Sequence, residues 1–395
     1  MAAILGTIRR NWLMTHPSEV PKTSKPLTFG ILGAADIGPA ALMLPAKSHP
    51  DVVVQTVAAR DPAKAKAYAQ KHGIPSVAQT YQDILDDPTI DCVYIPLPNG
   101  LHYEWALRSL EAGKHVLLEK PSVSNSTEAE NLFSSSSLLS NPILLEATHP
   151  YFHPAWKLFM SHITPDAVVT AESYIAAPRG MFDFHNIRYD FSLGGGAMMD
   201  LGAYTASVLS HVFGGKPPGE CLSCEITPSP TDPRCDSAYK ARYAFPGGAV
   251  GIMEGDLRAL PVGNRIMPRI SVVHGPVEEI VGKDGGEGEK VMRTRKVVFK
   301  NFPQPTIFHS IVVEDEFVTP TKTWKESKTV KAYTGEVGEP HWTTYRYQLE
   351  QFVNKVRGRD VSEWVSGEDS VVTMRMIDMA YEKAGLPARP TSEYK

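Results

Sequence analysis

The run Leu27-Thr-Phe-Gly-Ile-Leu-Gly-Ala-Ala-Asp-Ile-Gly38 decides the fold of this chain. Leu27 to Leu32 is an apolar stretch of strand length, and Ile37 to Lys47 is spaced for a helix despite Pro39 and Pro45. Strand, tight turn and helix in that order open a dinucleotide-binding βαβ unit. Gly33 permits the turn, Ala35 is small enough for backbone to approach a pyrophosphate, and Gly38 lets helix pack on strand. Ala34, Asp36 and Ile37 complete the turn. Phosphates there would meet free N–H groups and the positive end of a helix dipole.

The same grammar continues outward. Val52 to Ala59, Cys92 to Leu97, His115 to Leu118 and Ile143 to Glu146 are continuous apolar runs. Helices Pro62 to His72, with Asp61 as cap and Gly73 as stop, and Tyr103 to Ala112, stopped by Gly113, fall between them. Strands apolar on both faces and alternating with helices predict a doubly wound parallel sheet over residues 27–150, an α/β domain. Beyond Pro154 the runs alternate instead. Ala167 to Tyr174, Ala238 to Phe245, Ala249 to Asp256, Ile270 to Val273, Lys296 to Val298 and Ile307 to Val313 predict an open, mostly antiparallel sheet. Helices are expected at Ala197 to Phe213, Trp342 to Val356 and Glu368 to Ala384, and a hairpin or loop at Gly282 to Lys290. The domains are then 1–26, an extension and linker; 27–150, the dinucleotide domain; 151–365, a substrate and dimerisation domain; and 366–395, a helix and tail.

Bulk composition sets the remaining bounds. The chain has 395 residues, and 42% hydrophobic with 21% charged residues is ordinary for a globular protein. A net charge of −4 gives no support for nucleic-acid or anionic-membrane partners. No apolar run approaches the roughly 20 residues a membrane helix needs. Four cysteines fit reduced thiols in the cytoplasm. Cys221 and Cys224 are spaced like half a zinc site and Cys235 is nearby, but a fourth ligand is missing, so no metal is expected. Residues 1–17 carry Arg9 and Arg10 and an apolar face of Ile4, Leu5, Ile8, Trp12 and Leu13. A docked N-terminal helix is the main reading and a mitochondrial presequence the lesser one.

Cofactor preference is read at the tip of the second strand, Ala59-Arg60-Asp61. A carboxylate there would hold the ribose 2′-hydroxyl of NAD, whereas arginine accepts the 2′-phosphate of NADP. Ala59 offers no carboxylate and Asp61 serves as a helix cap, so Arg60 predicts NADP over NAD.

Tyr94-Ile-Pro-Leu-Pro-Asn-Gly-Leu-His102 and Ala112-Gly-Lys-His-Val-Leu-Leu-Glu-Lys-Pro121 closely resemble the Gfo/Idh/MocA family of oxidoreductases. So do Gly194-Gly-Gly-Ala-Met-Met-Asp-Leu-Gly-Ala-Tyr204 and residues 367–389. The likeness is greatest to its NADP-dependent D-xylose 1-dehydrogenase and dimeric dihydrodiol dehydrogenase subgroup, which Asn186-Ile-Arg-Tyr-Asp190 also resembles. The resemblance implies a Rossmann domain followed by an α/β domain, and a homodimer through the open face of the second sheet. It makes Lys120, Asp200 and Tyr204 catalytic. It puts Leu97, Asn99, His102, Glu119 and Lys120 at the cofactor, and Tyr151, His153, Arg188 and Asp200 at a small-molecule substrate.

An ammonium at Lys120 can hold a substrate hydroxyl oxygen and steady the charge that grows as its proton leaves. Tyr204 stands where many relatives have histidine. Free tyrosine has a pKa near 10, and a Lys120 cation beside it would lower that value and make it the acid/base group. Two departures from the family pattern, Tyr151 in place of arginine and Gly100 in place of a bulkier residue, leave room for a larger or less polar substrate. Of His149, His153 and His185, His153 is the expected substrate contact, since it follows a parallel strand. The leading expectation is hydride transfer at a sugar or cyclic diol. The alternatives are a carbonyl reductase and a non-catalytic NADP-binding sensor.

Overall fold

The continuous apolar runs become six parallel strands: β1 (Leu27–Leu32), β2 (Val52–Ala58), β3 (Ser76–Val77), β4 (Cys92–Ile95), β5 (His115–Leu118) and β6 (Leu144–Glu146), in the order β3-β2-β1-β4-β5-β6. The computed structural model describes residues 2–138, 142–183, 185–262, 266–281 and 289–394. Phe29, Ile31, Val93, Tyr94, Val116 and Leu117 are fully buried between helices on both faces. Burial of side chains this size contributes about 1.5–3 kcal/mol each. Helix Pro62–His72 begins and ends as its residues dictate. The Asp61 carboxylate accepts from the Ala63 N–H at 2.9 Å, and Gly73 takes a left-handed φ of 69°. The helix after the glycine turn is less regular, with a π turn at Pro39–Met43 before Leu44–Lys47. Pro45 has no N–H for a regular bond to the carbonyl four residues back, and the turn widens there.

The second sheet comprises β7 (Val168–Pro178), β8 (Glu220–Pro228), β9 (Asp236–Ala244), β10 (Val250–Ala259), β11 (Arg269–His274), β12 (Val277–Val281), β13 (Glu289–Lys300), β14 (Ser310–Val318) and β15 (Thr323–Val330). Its main path is β15-β14-β13-β11-β7-β10-β9-β8, with β12 paired to β13. All pairs are antiparallel except β7 with β10. The alternation expected of a one-sided sheet is plain in β10, where Gly251, Met253, Gly255 and Leu257 are buried between half-exposed neighbours. Strands β8, β12 and β15, and the first half of β13, go beyond the sequence expectation. β8 and β15 are the two edges, and most β15 side chains are exposed, so neither carries a buried stripe to read. Of the expected hairpin at Gly282 to Lys290, residues 282–288 lie outside the described residues; Val281 pairs with Glu289.

Two expectations about the chain's start change. Helix Ala2–Thr15 does dock: Arg10 donates to the carbonyls of Thr306 and Ile307 at 2.9 and 3.1 Å and lies 3.8 Å over the Tyr333 ring. It does so through Arg10 and through Leu13 of the apolar face, which lines a cleft with Thr344, while Leu5, Ile8 and Trp12 of that face point outward, each about 60% exposed. The linker after it is tied down rather than free, because Lys22 donates to the carbonyls of Ala46 and His49 at 2.7 and 2.9 Å. No described helix is long and apolar enough to cross a membrane.

Candidate active site

The carboxyl ends of β1, β4 and β5 bring three turns together. Gly33 holds φ +119°, which a side chain rarely adopts, and an added Cβ would come 3.0 Å from the Leu97 side chain. The Tyr68 hydroxyl donates to the Ala35 carbonyl at 2.8 Å, while Asp36 and Ile37 face solvent. This cradle fits a dinucleotide. The buried His102 ring ties the turns after β4 and β5 together, with its nitrogens 2.8 Å from the carbonyls of Leu97 and Pro121. Burial brings its pKa down to about 4. Arg60 is exposed beyond buried Ala59, and Asp61 is occupied by capping, as the sequence implied.

Lys120 follows β5 and is joined to Pro121 by a cis peptide bond. Glu119 turns inward and accepts from the Tyr94 hydroxyl at 2.7 Å, so its carboxylate braces the turn. Lys120 reaches across to the second domain. Its ammonium donates to the Asp200 carboxylate at 2.8 Å and to the Asp200 carbonyl at 2.7 Å. The other carboxylate oxygen accepts from Arg188 at 2.7 Å. Burial pushes the Asp200 carboxyl up, but Lys120 and Arg188 overcome it and hold it well below the usual range.

The triple glycine explains why Asp200 stands there. An added Cβ at Gly195 would fall 2.7 Å from the carbonyls of Asp190 and Ile187, and at Gly196 it would strike Arg389, Asp236 and Tyr381. With no side chains in the way, the loop folds onto a buried cluster. Asp236 accepts from Arg389 at 3.1 Å, from the Tyr381 hydroxyl at 2.8 Å and from the Met198 N–H at 2.7 Å. That last bond starts helix Ala197–Asp200, and a second segment, Gly202–Val212, follows at once and carries Tyr204. The single helix expected over Ala197 to Phe213 is thus broken at Leu201.

Tyr204 differs from expectation in one respect. The Lys120 ammonium lies 4.7 Å from the centre of its ring rather than at its hydroxyl. The hydroxyl faces His149 Nε2 at 2.9 Å. Burial, then Tyr345, Glu119 and Asp200, push the phenol well above its ordinary pKa, with Arg188 opposing. The phenol is thus raised rather than lowered, and the Lys120 ammonium gives its hydrogen bonds to Asp200.

Other expected site residues fall elsewhere. His153 caps helix Pro154–Met160 by accepting from the Ala155 N–H at 3.1 Å, and its ring meets Tyr347 and His309. Tyr151 stacks on His211 and meets the Trp156 ring at a tilt, each 4.4 Å away. Gly100 leaves no room: an added Cβ would lie 3.2 Å from the backbone of Ser192 and Leu193, and the adjacent Asn99 donates to the Gly194 carbonyl at 2.9 Å. The space supposed to admit a bulkier substrate is filled by the loop that leads to Asp200. Thr344, Tyr345 and Arg389 were not singled out, and His149 was named with His153 and His185 but ranked below His153. His149 lies just after the parallel strand β6, as His153 does, but nothing in the sequence ranks it first. Among the described residues, no cluster of three or more potential metal ligands occurs.

Comparison with known proteins yields two family matches. The model described as the oxidoreductase family, NAD-binding Rossmann fold, matches residues 27–138, and the GFO/IDH/MocA C-terminal domain matches residues 167–274, together more than half of the chain. The chain is 37% identical over 195 residues to D-xylose 1-dehydrogenase (NADP+) 2 of Haloferax volcanii, covering 48% of this chain and 58% of that one. It is 32% identical over 176 residues to trans-1,2-dihydrobenzene-1,2-diol dehydrogenase of Xenopus tropicalis, covering 44% and 52%. Across such curated relatives the match spans 52–65% of their length. A 3-ketoreductase from Actinomadura kijaniata, solved with NADP and TDP-benzene, shares the fold with a TM-score of 0.68 at 21% identity, over 91% of this chain and 98% of that one.

Proposed function

The chain belongs to the Gfo/Idh/MocA family of oxidoreductases, and on that premise we propose that it moves a hydride between NADP and a hydroxyl-bearing carbon of a sugar or cyclic diol. The observation that carries this reading is the Lys120–Asp200 pair, 2.8 Å apart at the carboxyl end of β5 and linked through His102 and Leu97 to the Gly33–Gly38 turn. A bound nicotinamide supplies or accepts the hydride. Arg60 would hold the 2′-phosphate. Lys120 would hold the substrate oxygen and stabilise the charge that develops on it. Asp200 fixes Lys120 in place and, with Arg188, offers hydrogen bonds to neighbouring hydroxyls. Tyr204 exchanges the hydroxyl proton. D-xylose dehydrogenase and dihydrodiol dehydrogenase among the relatives support this substrate class.

One observation favours a second reading, reduction of a carbonyl. Burial keeps the Tyr204 phenol protonated, the form that donates to a carbonyl oxygen, and reductases of dTDP-keto-sugars are among the relatives. A single screen separates the readings: NADP reduction over aldopentoses, aldohexoses, polyols and dihydrodiols, with NADPH oxidation over ketones in parallel. Turnover in the first arm supports the dehydrogenase, and turnover confined to the second supports the reductase. Tight NADP binding with no turnover in either arm indicates a sensor. A cytoplasmic homodimer completes the proposal. It would pair through the sheet face opposite the helices, where Glu172, Lys240 and Arg242 are exposed, and sedimentation of the purified chain tests it.

A further inference from the structure

The Tyr204 hydroxyl faces His149, with the Tyr345 hydroxyl beside it. His149 Nε2 lies 2.9 Å from the Tyr204 oxygen and its Nδ1 lies 2.7 Å from Thr344 Oγ1. All three residues are buried. The imidazole is held by Tyr345, whose ring centre is 3.9 Å away. Thr344 opens helix Thr344–Val356, next to its cap Thr343, and lines a cleft of about 120 Å³ with Thr15, Ser48, Gln304, Thr306 and His341. Three groups that both give and take protons therefore run from the Lys120 pair to a second opening.

Resting on the hydride-transfer reading above, we infer that Tyr204, His149 and Thr344 form a proton relay between the substrate hydroxyl and this cleft. In oxidation the carbon gives its hydride to the nicotinamide and its hydroxyl proton passes to the Tyr204 oxygen. The Tyr204 proton passes to His149 Nε2, the Nδ1 proton to Thr344 Oγ1, and the Thr344 proton to water in the cleft. One proton leaves per hydride, and reduction runs the same transfers backwards. Tyr204 never has to persist as a phenolate, which its setting opposes: burial first, then Tyr345, Glu119 and Asp200, raise its pKa. His149 never has to persist as an imidazolium, which burial first and the Lys120 charge second oppose. It changes tautomer instead. His149 and Thr344 act through Tyr204 and are positioning residues by that measure.

Thr344 gives the sharpest test, because relay and packing rank its variants in opposite order. Thr344→Val keeps the shape and loses the hydroxyl; Thr344→Ser keeps the hydroxyl and loses a methyl. The probe is the aldose turned over fastest in the screen above, D-xylose being the first tried. The relay expects kcat to fall on the order of 10²-fold in Thr344→Val and in His149→Phe, with Thr344→Ser near wild type. It also expects a solvent isotope effect of several protons in the wild type that reduces to one in the valine variant. Melting curves check that each variant is folded. In the unliganded protein, nitrogen-15 NMR of histidine should find His149 neutral from pH 5 to 8, and Tyr204→Phe should change its tautomer ratio. A charged His149 at pH 7 overturns the relay whatever the substrate. Native rates in Thr344→Val and His149→Phe, beside a collapse in Tyr204→Phe, overturn the relay and leave the proposed function standing. Native rates in all three variants remove Tyr204 from the chemistry as well.

Discussion

Two carboxylates flank the same glycine loop and each is paired with cations, yet they do different work. Asp236 and its partner Arg389 are wholly buried, and every polar partner of that carboxylate belongs to the protein. Asp200 is only half-buried, with 14% of its side chain accessible, and its partners Lys120 and Arg188 keep 12% and 29% accessible. The first pair spends its hydrogen bonds within the protein, on the Gly195 carbonyl, Tyr381, Pro387 and the start of helix Ala197–Asp200. The second leaves donors free to take a ligand. The residue types are the same, so chemistry is decided by which cation keeps an open side. The two are also in series, because the Asp200 N–H bonds the Gly196 carbonyl at 3.0 Å and Gly196 rests on Arg389.

The largest expected effect comes from breaking the buried pair. Arg389→Met leaves the Asp236 carboxylate in the interior without a counter-charge, and such losses cost about 3–5 kcal/mol. Urea unfolding should show that loss, and Arg389→Met with Asp236→Asn together should recover part of it, since the remaining group is then neutral. A single variant as stable as wild type would mean that the cluster does not hold the loop. Lys120→Met should do the reverse. Removing a cation that faces developing charge costs on the order of 10²–10³-fold in kcat, while the melting temperature and NADP affinity stay near wild type. If Lys120→Met unfolds the protein but leaves kcat intact in the folded fraction, the roles of the two clusters are exchanged.

The same contrast explains what could be read from sequence. The first sheet was legible because β1, β4 and β5 are buried on both faces, so apart from Thr28 and His115 their residues are apolar or glycine. Asp61 and Gly73 were legible because a cap and a left-handed stop depend on neighbours in the chain. The edge strands β8 and β15 were not, since their stability comes from a partner strand rather than from a stripe of their own. Within the site, Lys120, Asp200 and Tyr204 stood in motifs and the structure brings them together. His149 was passed over because its meaning lies in Thr344, 195 residues away. Gly100 was misread for the same reason: the sequence shows a missing side chain, and only the fold shows the loop that fills its place.

A third neighbouring acid and base, Arg60 and Asp61, gives the smallest expected effect and sharpens the comparison. Here the carboxylate is withdrawn into capping the Ala63 N–H, and the arginine is left exposed at the tip of β2. By the rule drawn from Asp200 and Asp236, the cation with an open side is the one that meets a ligand, and the ligand proposed for this position is the 2′-phosphate of NADP. A charge-assisted hydrogen bond of that kind contributes about 1.5–3 kcal/mol, or roughly ten- to hundredfold in preference. Arg60→Ala should therefore lower the NADP-to-NAD ratio of kcat/KM by that factor while leaving kcat with saturating cofactor near wild type, because Arg60 lies far along the cofactor from the reacting carbon. Asp61→Ala serves as the control. It should weaken helix Pro62–His72 by about 1 kcal/mol through the lost cap and leave the cofactor ratio almost unchanged. If Asp61→Ala instead shifts the ratio and Arg60→Ala does not, the carboxylate reads the ribose, and NAD rather than NADP is the cofactor this strand tip selects.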